Sequence, residues 1–296
     1  MVGIYIMQKK KKYTKLKCSP KANGIENNFS CYITDDLKKL KNFWNIRHAD
    51  DLITSHDPKE IWTTLKDRFS NVCNQEACWL RQNFVSSTIG TELLNSFSPQ
   101  QPINWKKKPY EWLTTTDIQS VMKQYEDTYS DFEFIGPSPI DYNTNINNQC
   151  VWPEICNFDI EKKLLNGTRK IGIIFNLDTH DEPGSHWVAL YVELNKREIY
   201  YFDSTKTYKR EIPKEIFEFV DELNMDAKNR FGFEFDFNYN NKVEHQKQNT
   251  ECGIYCIYFI TQLLTNKKVW KDFIDERIPD AEMKKLRNIF YNKNEI

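Results

Sequence analysis

The first third of the chain carries apolar residues at helical spacing. Between residues 35 and 84 they recur every three to four positions, as on one face of a helix. Two such sets are Leu37, Leu40, Phe43 and Trp44, and then Ile61, Leu65 and Phe69. Prolines at positions 99, 102 and 109 then indicate a linker. The pattern predicts a helical arm over residues 1–104 and a domain boundary near residue 104.

Beyond that boundary, strand-like and helix-like segments are mixed. Strands are predicted at residues 170–176, 186–194, 197–203 and 231–238, and a buried helix at 252–264. Thr116 and Gln119 fit a capping box at the start of another helix. Residues 136–139, Gly-Pro-Ser-Pro, predict a loop. The mixture predicts an α+β domain over residues 105–296.

Composition limits the class of protein. The chain has 296 residues, of which 40% are hydrophobic, enough to form a packed core, so wholesale disorder is excluded. No stretch approaches the roughly 20 apolar residues of a membrane span. The N-terminus is apolar before it is basic, the reverse of a secretory signal. We therefore expect an intracellular protein without a membrane partner.

Charge is balanced overall but not along the chain. The net charge of −1 implies no global attraction to nucleic acid. A basic head nevertheless contains Lys9, Lys10, Lys11, Lys12, Lys15, Lys17 and Lys21. Two interpretations stay open: a solvated flexible terminus, or a weak electrostatic contact with nucleic acid.

Eight cysteines raise the questions of disulfides and metals. A long chain without a secretory signal needs no disulfide framework, so we expect most of these thiols to be free, buried, apolar side chains. The pairs Cys73/Cys78 and Cys150/Cys156 have no histidine nearby in sequence, which disfavours zinc. We expect neither a metal nor a cofactor.

The pattern places one histidine near one aspartate. If a two-residue turn at 195 and 196 joins two strands, Val188 faces Asp203 and His186 faces Thr205. Residues two apart in a strand share a face of the sheet. His186 and Asp203 therefore become diagonal neighbours whose backbones are about 7–8 Å apart. The carboxylate could then fix the imidazole tautomer and stabilise the imidazolium. A three-residue turn would break this parity.

Cys252 opens the predicted buried helix. The positive end of the helix dipole and a nearby imidazolium would favour its thiolate form. Gly253 would let another backbone approach closely. Cys256, one turn further inside, is a poorer nucleophile candidate. The alternative is that Cys252 is an ordinary cysteine at a helix end.

Gln246 lies in the polar loop six residues before Cys252. Its side-chain amide could donate to an oxyanion beside the backbone N–H of the nucleophile. The alternative is a solvated loop glutamine. Phosphate-binding GxxxxGK[ST] and GxGxxG motifs and the hydrolase GxSxG motif do not occur in the sequence.

Four segments resemble one protease family. They are GSHWVAL at 184–190, IYYFDS at 199–204, Gln246, and TECGIY at 250–255. Their order and content resemble the cysteine proteases that cleave SUMO and related ubiquitin-like proteins, adenovirus protease, and the polyprotein-processing proteases of giant DNA viruses. Trp112-Leu113 resembles the family's opening motif and extends the likeness to residues 105–296. The motifs GPSPID at 136–141 and CWL at 78–80 resemble the viral branch.

The resemblance implies a fold and roles for residues. The fold would be a mixed sheet packed by helices, with the cysteine at a helix N-terminus and an N-terminal helical arm. His186 would be the general base, Asp203 its orienting carboxylate, Cys252 the nucleophile and Gln246 an oxyanion donor. Trp112 and Trp187 would form a narrow tunnel over small substrate residues, typically Gly-Gly. Plain core packing is the alternative for each tryptophan.

Three functions stay open. The first is maturation of viral structural polyproteins by cleavage after small residues, with a location in virions and infected-cell cytoplasm. The second is removal of ubiquitin or a ubiquitin-like modifier from host proteins. The third is an inactive protease fold that serves as a virion structural or nucleic-acid-binding protein.

Overall fold

The computed structural model describes residues 12–22, 28–85, 87–206 and 211–293. It divides into two compact units. One contains the described residues up to Gln101 together with those from Ile289, and the other is Pro102–Asn288. The division into an N-terminal helical arm over residues 1–104 and a cysteine protease domain over residues 105–296 stays a prediction. Lys9, Lys10 and Lys11 of the basic head lie outside the described residues.

The first unit is helical, as the spacing of its apolar residues predicted. Its α-helices are α1 (Thr34–Arg47), α2 (Pro58–Phe69) and α3 (Ser87–Leu94). Pro58 occupies the first turn of α2, where its missing N–H is not needed, and Asp57 accepts a hydrogen bond from the Glu60 N–H at 2.9 Å. The inward apolar residues of α1 and α2 belong to one buried cluster.

The second unit combines helices and strands. Its helices are α4 (Thr115–Thr128), α5 (Pro153–Cys156), α6 (Ile160–Leu165), α7 (Lys214–Phe231), α8 (Cys252–Leu264) and α9 (Asp280–Phe290). Its strands are β1 (Phe132–Pro139), β2 (Asn145–Ile146), β3 (Gln149–Cys150), β4 (Lys170–Asn176), β5 (Trp187–Glu193), β6 (Glu198–Phe202) and β7 (Asp236–Tyr239). The predicted α+β class is confirmed.

A mixed five-stranded sheet forms the centre of this unit, in the order β1-β4-β5-β6-β7. The outer pairs β1/β4 and β6/β7 are parallel, whereas β4/β5 and β5/β6 are antiparallel. Successive strand residues point to opposite faces. Ile171 and Ile173 therefore pack in one cluster with Phe219 of α7, while Gly172 between them lies against Ile260 of α8. Helices thus cover both faces of the sheet.

Residues 136–139 do not form the predicted loop, and this expectation is wrong. They are the end of β1, which pairs with β4 again at Ser138 after a register shift that follows Ile135. β1 is an edge strand, where a proline without an N–H is tolerated. Gly136 takes φ +106°, a conformation that favours glycine, and this allows the irregular passage.

Two predicted boundaries also move. The capping box of α4 uses Thr114 and Asp117 rather than Thr116 and Gln119, with the Thr114 N–H donating to the Asp117 carboxylate at 2.8 Å. A carboxylate near the positive end of a helix adds stabilisation that a neutral amide lacks. The strand predicted at 231–238 begins only at Asp236, because α7 runs to Phe231 and ends at the left-handed Gly232.

Three disulfides correct the expectation of free buried thiols. They join Cys18 to Cys31, Cys73 to Cys78, and Cys150 to Cys156, and Cys252 and Cys256 are free. The sequence separations are 13, 5 and 6 residues, so each bridge closes a short local loop.

Among the described residues, no helix combines the length and apolar character that a membrane crossing requires.

Candidate active site

His186 and Asp203 meet at one end of the β5–β6 hairpin. His186 directly precedes β5 and Asp203 directly follows β6. The His186 Nε2–H donates to Oδ1 of Asp203 at 2.7 Å, and their side chains are only 11% and 1% exposed. The predicted proximity of the two side chains is therefore present.

The hairpin register is the one predicted from the sequence. Ala189 pairs with Phe202 and Glu193 with Glu198, so the same register continued by one residue sets Val188 opposite Asp203. The connection itself is longer than predicted. Strand pairing ends at Glu193 and Glu198, which leaves four residues with Arg197 at φ +58°. Four and two residues have the same parity, so the face that carries His186 and Asp203 is unchanged.

Neighbouring groups hold Asp203 in place. The Thr205 N–H and hydroxyl each donate to Oδ1 of Asp203 at 2.9 Å. The Asn240 side chain accepts from the Asp203 N–H at 2.9 Å and donates to its carbonyl at 2.8 Å. Asn240 is fully buried and directly follows β7. Sequence reasoning missed it; its signal is a polar residue at the end of a strand next to β6.

Cys252 completes the cluster as the first residue of α8. It is 2% exposed and lies near enough to His186 to raise the pKa of that histidine. Burial lowers the pKa of His186, but hydrogen bonds and charge interactions with Asp203 and Cys252 outweigh burial and raise it to about 9. At neutral pH the imidazole beside Asp203 is therefore in its charged form.

Cys256 contrasts with Cys252. It lies one turn inside α8 and is 1% exposed. Burial, followed by the nearby Cys252 and Asp203, raises the pKa of the Cys256 thiol well above its ordinary value. A neutral thiol is a weak nucleophile, in line with the preference for Cys252 drawn from the sequence.

Gln246 lies beside the cluster and is buried. Its side chain is 3% exposed, which contradicts the alternative of a solvated loop glutamine. Its Oε1 accepts from the Ser204 hydroxyl at 2.7 Å, and its backbone N–H donates to the Ser204 carbonyl at 2.8 Å. Nε2 donates one hydrogen to the Gln248 carbonyl and carries a second. Because Ser204 follows Asp203, one short segment positions both side chains.

The neighbouring His245 is a histidine of the opposite kind. Its Nε2–H donates to the Phe273 carbonyl at 2.9 Å, and its Nδ1 accepts from the Ile278 N–H at 3.1 Å. Burial lowers the pKa of His245 to about 4, so the ring is neutral. It anchors the loop that carries Gln246, a role that sequence reasoning missed.

Trp187 and Trp112 line one cleft of about 700 Å³. Trp187 is 7% exposed and its Nε1–H donates to the Leu113 carbonyl at 3.0 Å, whereas Trp112 is half-buried. A Cβ at Gly253 would lie 3.0 Å from the Leu113 side chain. The expected close neighbour of Gly253 was a backbone; the structure instead places a side chain there. Substrate binding by Trp112, Trp187 and Gly253 stays a prediction.

Within the described part of the chain, no group of three or more histidine, cysteine, aspartate or glutamate residues could hold a metal ion. What the cluster offers is a sulfur, a charged imidazole and a carboxylate in series, with an amide beside them. This set can perform thiol-based acyl transfer.

Comparison with known proteins gives the same chemistry. The family model described as "Ulp1 protease family, C-terminal catalytic domain" matches residues 112–296. The chain is 29% identical to a thiol protease of Acanthamoeba polyphaga mimivirus, over 93% of this chain and 92% of the relative. It is 22% identical to a cysteine protease of African swine fever virus, over 82% of this chain and 92% of that protein.

The fold is shared with a solved structure. The crystal structure of the African swine fever virus protease matches with a TM-score of 0.64 at 20% identity, over 94% of this chain and 96% of that one. The expected protease fold with an N-terminal helical arm is thereby confirmed. The chain belongs to the Ulp1 protease family and is a cysteine protease.

Proposed function

We propose that Cys252 is the nucleophile, His186 the acid and base, and Asp203 the group that orients His186. The observation that carries this proposal is the placement of His186. Its Nε2–H is hydrogen-bonded to Asp203, and Cys252 lies near enough to the same ring to raise its pKa. A carboxylate on one ring nitrogen leaves the other nitrogen for the sulfur.

The reaction divides into two steps. The Cys252 thiolate attacks the carbonyl carbon of the scissile peptide and forms a C–S bond. As the C–N bond breaks, His186 gives its proton to the leaving amine, and a thioester remains. His186 then takes a proton from water, whose oxygen attacks the thioester. The C–S bond breaks, the acid product leaves, and Cys252 is restored as a thiolate beside the protonated His186.

Gln246 is proposed to stabilise the negative oxygen that forms in each step. Ser204 binds the oxygen end of the amide, and Nε2 donates one of its two hydrogens to the Gln248 carbonyl. The second hydrogen on Nε2 is available for donation to substrate. The first N–H groups of α8 lack partners within the helix and can donate beside it. Donors fixed before the reaction stabilise the developing charge most effectively.

The substrate is proposed to carry small residues before the scissile bond, of the Gly-Gly type. Cys252 is only 2% exposed, and Trp187, next to His186, is also buried. A narrow approach between the indole rings of Trp112 and Trp187 would obstruct a Cβ and admit glycine. The polypeptide would lie extended along the cleft that these two rings line.

The proposed biological role is maturation of viral structural polyproteins, in virions and infected-cell cytoplasm. Two relatives matched over 92% of their length, from mimivirus and African swine fever virus, are named as proteases, which supports this role. Removal of a ubiquitin-like modifier is the second candidate, because some African swine fever virus relatives are named SUMO-1 cysteine proteases. A weak contact of the basic head with nucleic acid stays a separate prediction.

Cleavage of a fluorogenic Gly-Gly-X peptide tests the assignment. We expect Cys252→Ser to lose all cleavage while it keeps its fold by circular dichroism. The control is Cys256→Ser, which changes the other free cysteine and should retain activity. Full activity of Cys252→Ser would refute the role of Cys252, and a wild-type protein that does not cleave the peptide would refute the proposed Gly-Gly specificity.

Activity-based probes separate the two substrate classes. Vinyl sulfones built on ubiquitin or SUMO should label Cys252 slowly if the protein acts on extended peptides. Rapid labelling of Cys252 by either probe would favour the deconjugase. Mass-spectrometric mapping of scissile bonds in candidate virion proteins would then define the sites.

A further inference from the structure

A buried ion pair lies directly before the cysteine. Arg287 of α9 donates from Nε to Oε2 of Glu251 at 2.7 Å, and Glu251 is the residue that precedes Cys252. The two side chains are 2% and 0% exposed. A charged pair this far from water is tolerated only when its remaining hydrogen-bonding groups are satisfied.

The other nitrogens of Arg287 bind two separate chain segments. One terminal nitrogen donates to the Thr250 carbonyl and the other to the Glu111 carbonyl, both at 2.8 Å. The guanidinium also lies over the Trp105 ring, 4.6 Å from its centroid. Thr250 leads into Cys252, and Glu111 leads into Trp112. One planar cation therefore ties the segment of the sulfur to the segment of the cleft tryptophan.

The start of α8 has no cap of its own. Glu251 occupies the N-cap position but makes no side-chain hydrogen bond to the first turn. Its carboxylate instead accepts from Arg287 and from the Thr250 hydroxyl, the latter at 3.0 Å. The position of the first turn, and with it the Cys252 sulfur, is thus set by contacts from outside the helix.

We propose that Arg287, acting through Glu251, is a positioning residue for the protease reaction: it fixes Cys252 relative to His186 and to Trp112. The proposal rests on the proposed role of Cys252 as nucleophile. Arg287 touches neither substrate nor sulfur. Displacement of reacting atoms by about 1 Å can lower a rate about 10²-fold, so a small shift of the helix start has a large expected effect.

Arg287→Lys is the first test. Lysine keeps the charge, but a single ammonium group lacks the planar fork that reaches Glu251, Thr250 and Glu111 together. We expect kcat for the Gly-Gly-X peptide to fall about tenfold or more, with KM within about threefold. Alkylation of Cys252 by iodoacetamide at pH 7 should slow by a similar factor. A rise in KM alone, or unchanged alkylation, would overturn the proposal.

Arg230→Lys is the matched control. Arg230 is 41% exposed and binds Asp226 and Glu161 at 2.5 and 2.6 Å in the same unit. The same substitution there should leave kcat and alkylation within twofold of the wild-type values. A comparable loss in both variants would make the effect of Arg287→Lys unspecific and would overturn the proposal.

The double variant Glu251→Gln/Arg287→Met separates positioning from stability. Removal of both charges leaves no buried charge without a partner, so its melting temperature should exceed that of Arg287→Met alone. Its kcat should stay about tenfold or more below wild type, because the Thr250 and Glu111 carbonyls are no longer tied together. Recovery of both melting temperature and kcat would show that the pair is only structural.

Cys252→Ser, measured in parallel, distinguishes failure of the positioning role of Arg287 from failure of the proposed role of Cys252. If Cys252→Ser is inactive and Arg287→Lys has wild-type kcat, only the positioning role is refuted. If Cys252→Ser is active, the proposed nucleophile is refuted as well. If Arg287→Lys does not fold, the double variant decides the question.

Discussion

Two histidine–aspartate pairs in this protein have the same length and different surroundings. His186 donates to Asp203 at 2.7 Å, and His180 donates to Asp141 at 2.7 Å. The first pair is largely buried and lies near Cys252; the His180 side chain is 37% exposed. In both pairs the carboxylate raises the pKa of the histidine. A short distance between histidine and carboxylate therefore does not identify a candidate site by itself. Burial and the nearby Cys252 distinguish the His186–Asp203 pair.

The largest expected effect comes from removing the charge of the buried carboxylate. Asp203→Asn keeps the shape and an acceptor oxygen for Thr205 but no longer stabilises the imidazolium. We expect kcat/KM for the Gly-Gly-X peptide to fall about 10²-fold or more. Asp141→Asn, the same change in the exposed pair, should stay within about twofold. Equal losses of kcat/KM in the two variants would contradict the different roles assigned to the two pairs.

The next effect tests the group beside the buried pair. Gln246→Ala removes the amide beside the His186–Asp203 pair, whereas no such amide is assigned to the His180–Asp141 pair. We expect the rate of peptide cleavage to fall about 10²-fold, as for other oxyanion donors. Gln119→Ala, on an exposed position of α4, is the control. A Gln246→Ala rate within a factor of about two of wild type would remove Gln246 from the site.

The smallest expected effect is on the way the folding stability of the protein changes with pH. A histidine whose pKa is raised on folding stabilises the protein fully below its unfolded value of about 6.5, and the contribution is lost as pH rises through the folded pKa. For His186 the loss runs up to about pH 9. Wild type should therefore lose stability relative to His186→Asn between pH 6.5 and 9, by a few degrees in Tm.

His180→Asn supplies the comparison for that measurement. Solvent screens the exposed pair, so the difference between wild type and His180→Asn should change less over the same pH range. Thermal denaturation at pH 6.5 and pH 9 measures both differences. A larger change for His180→Asn than for His186→Asn would contradict the part assigned to burial.

Local patterns predicted what local contacts determine. The parity of the β5–β6 hairpin follows from alternation along two strands, and it was sufficient to bring His186 and Asp203 together. The run of apolar residues after Cys252 likewise predicted α8 with the bounds it has. The loop expected at residues 136–139 was wrong, because an edge position makes prolines compatible with a strand.

Contacts between distant segments were beyond the sequence patterns. Arg287 and Glu251 are 36 residues apart, and each has the composition of a surface position, so nothing local marks them as a buried pair. Asn240 and Ser204 act by bracing Asp203 and Gln246, which depends on how strand ends meet. Chain length and cellular compartment did not predict the disulfides, because they say nothing of short loops that bring two sulfurs together.

The proposed chemistry requires that the largely buried His186 is held as a cation by Asp203 and the nearby Cys252. An NMR titration of the histidine side chains in the folded protein tests it most directly. We expect His186 to titrate near pH 9, and at lower pH in Asp203→Asn, while His245 titrates near pH 4. A His186 that titrates at or below pH 6.5 in the wild-type protein would contradict it.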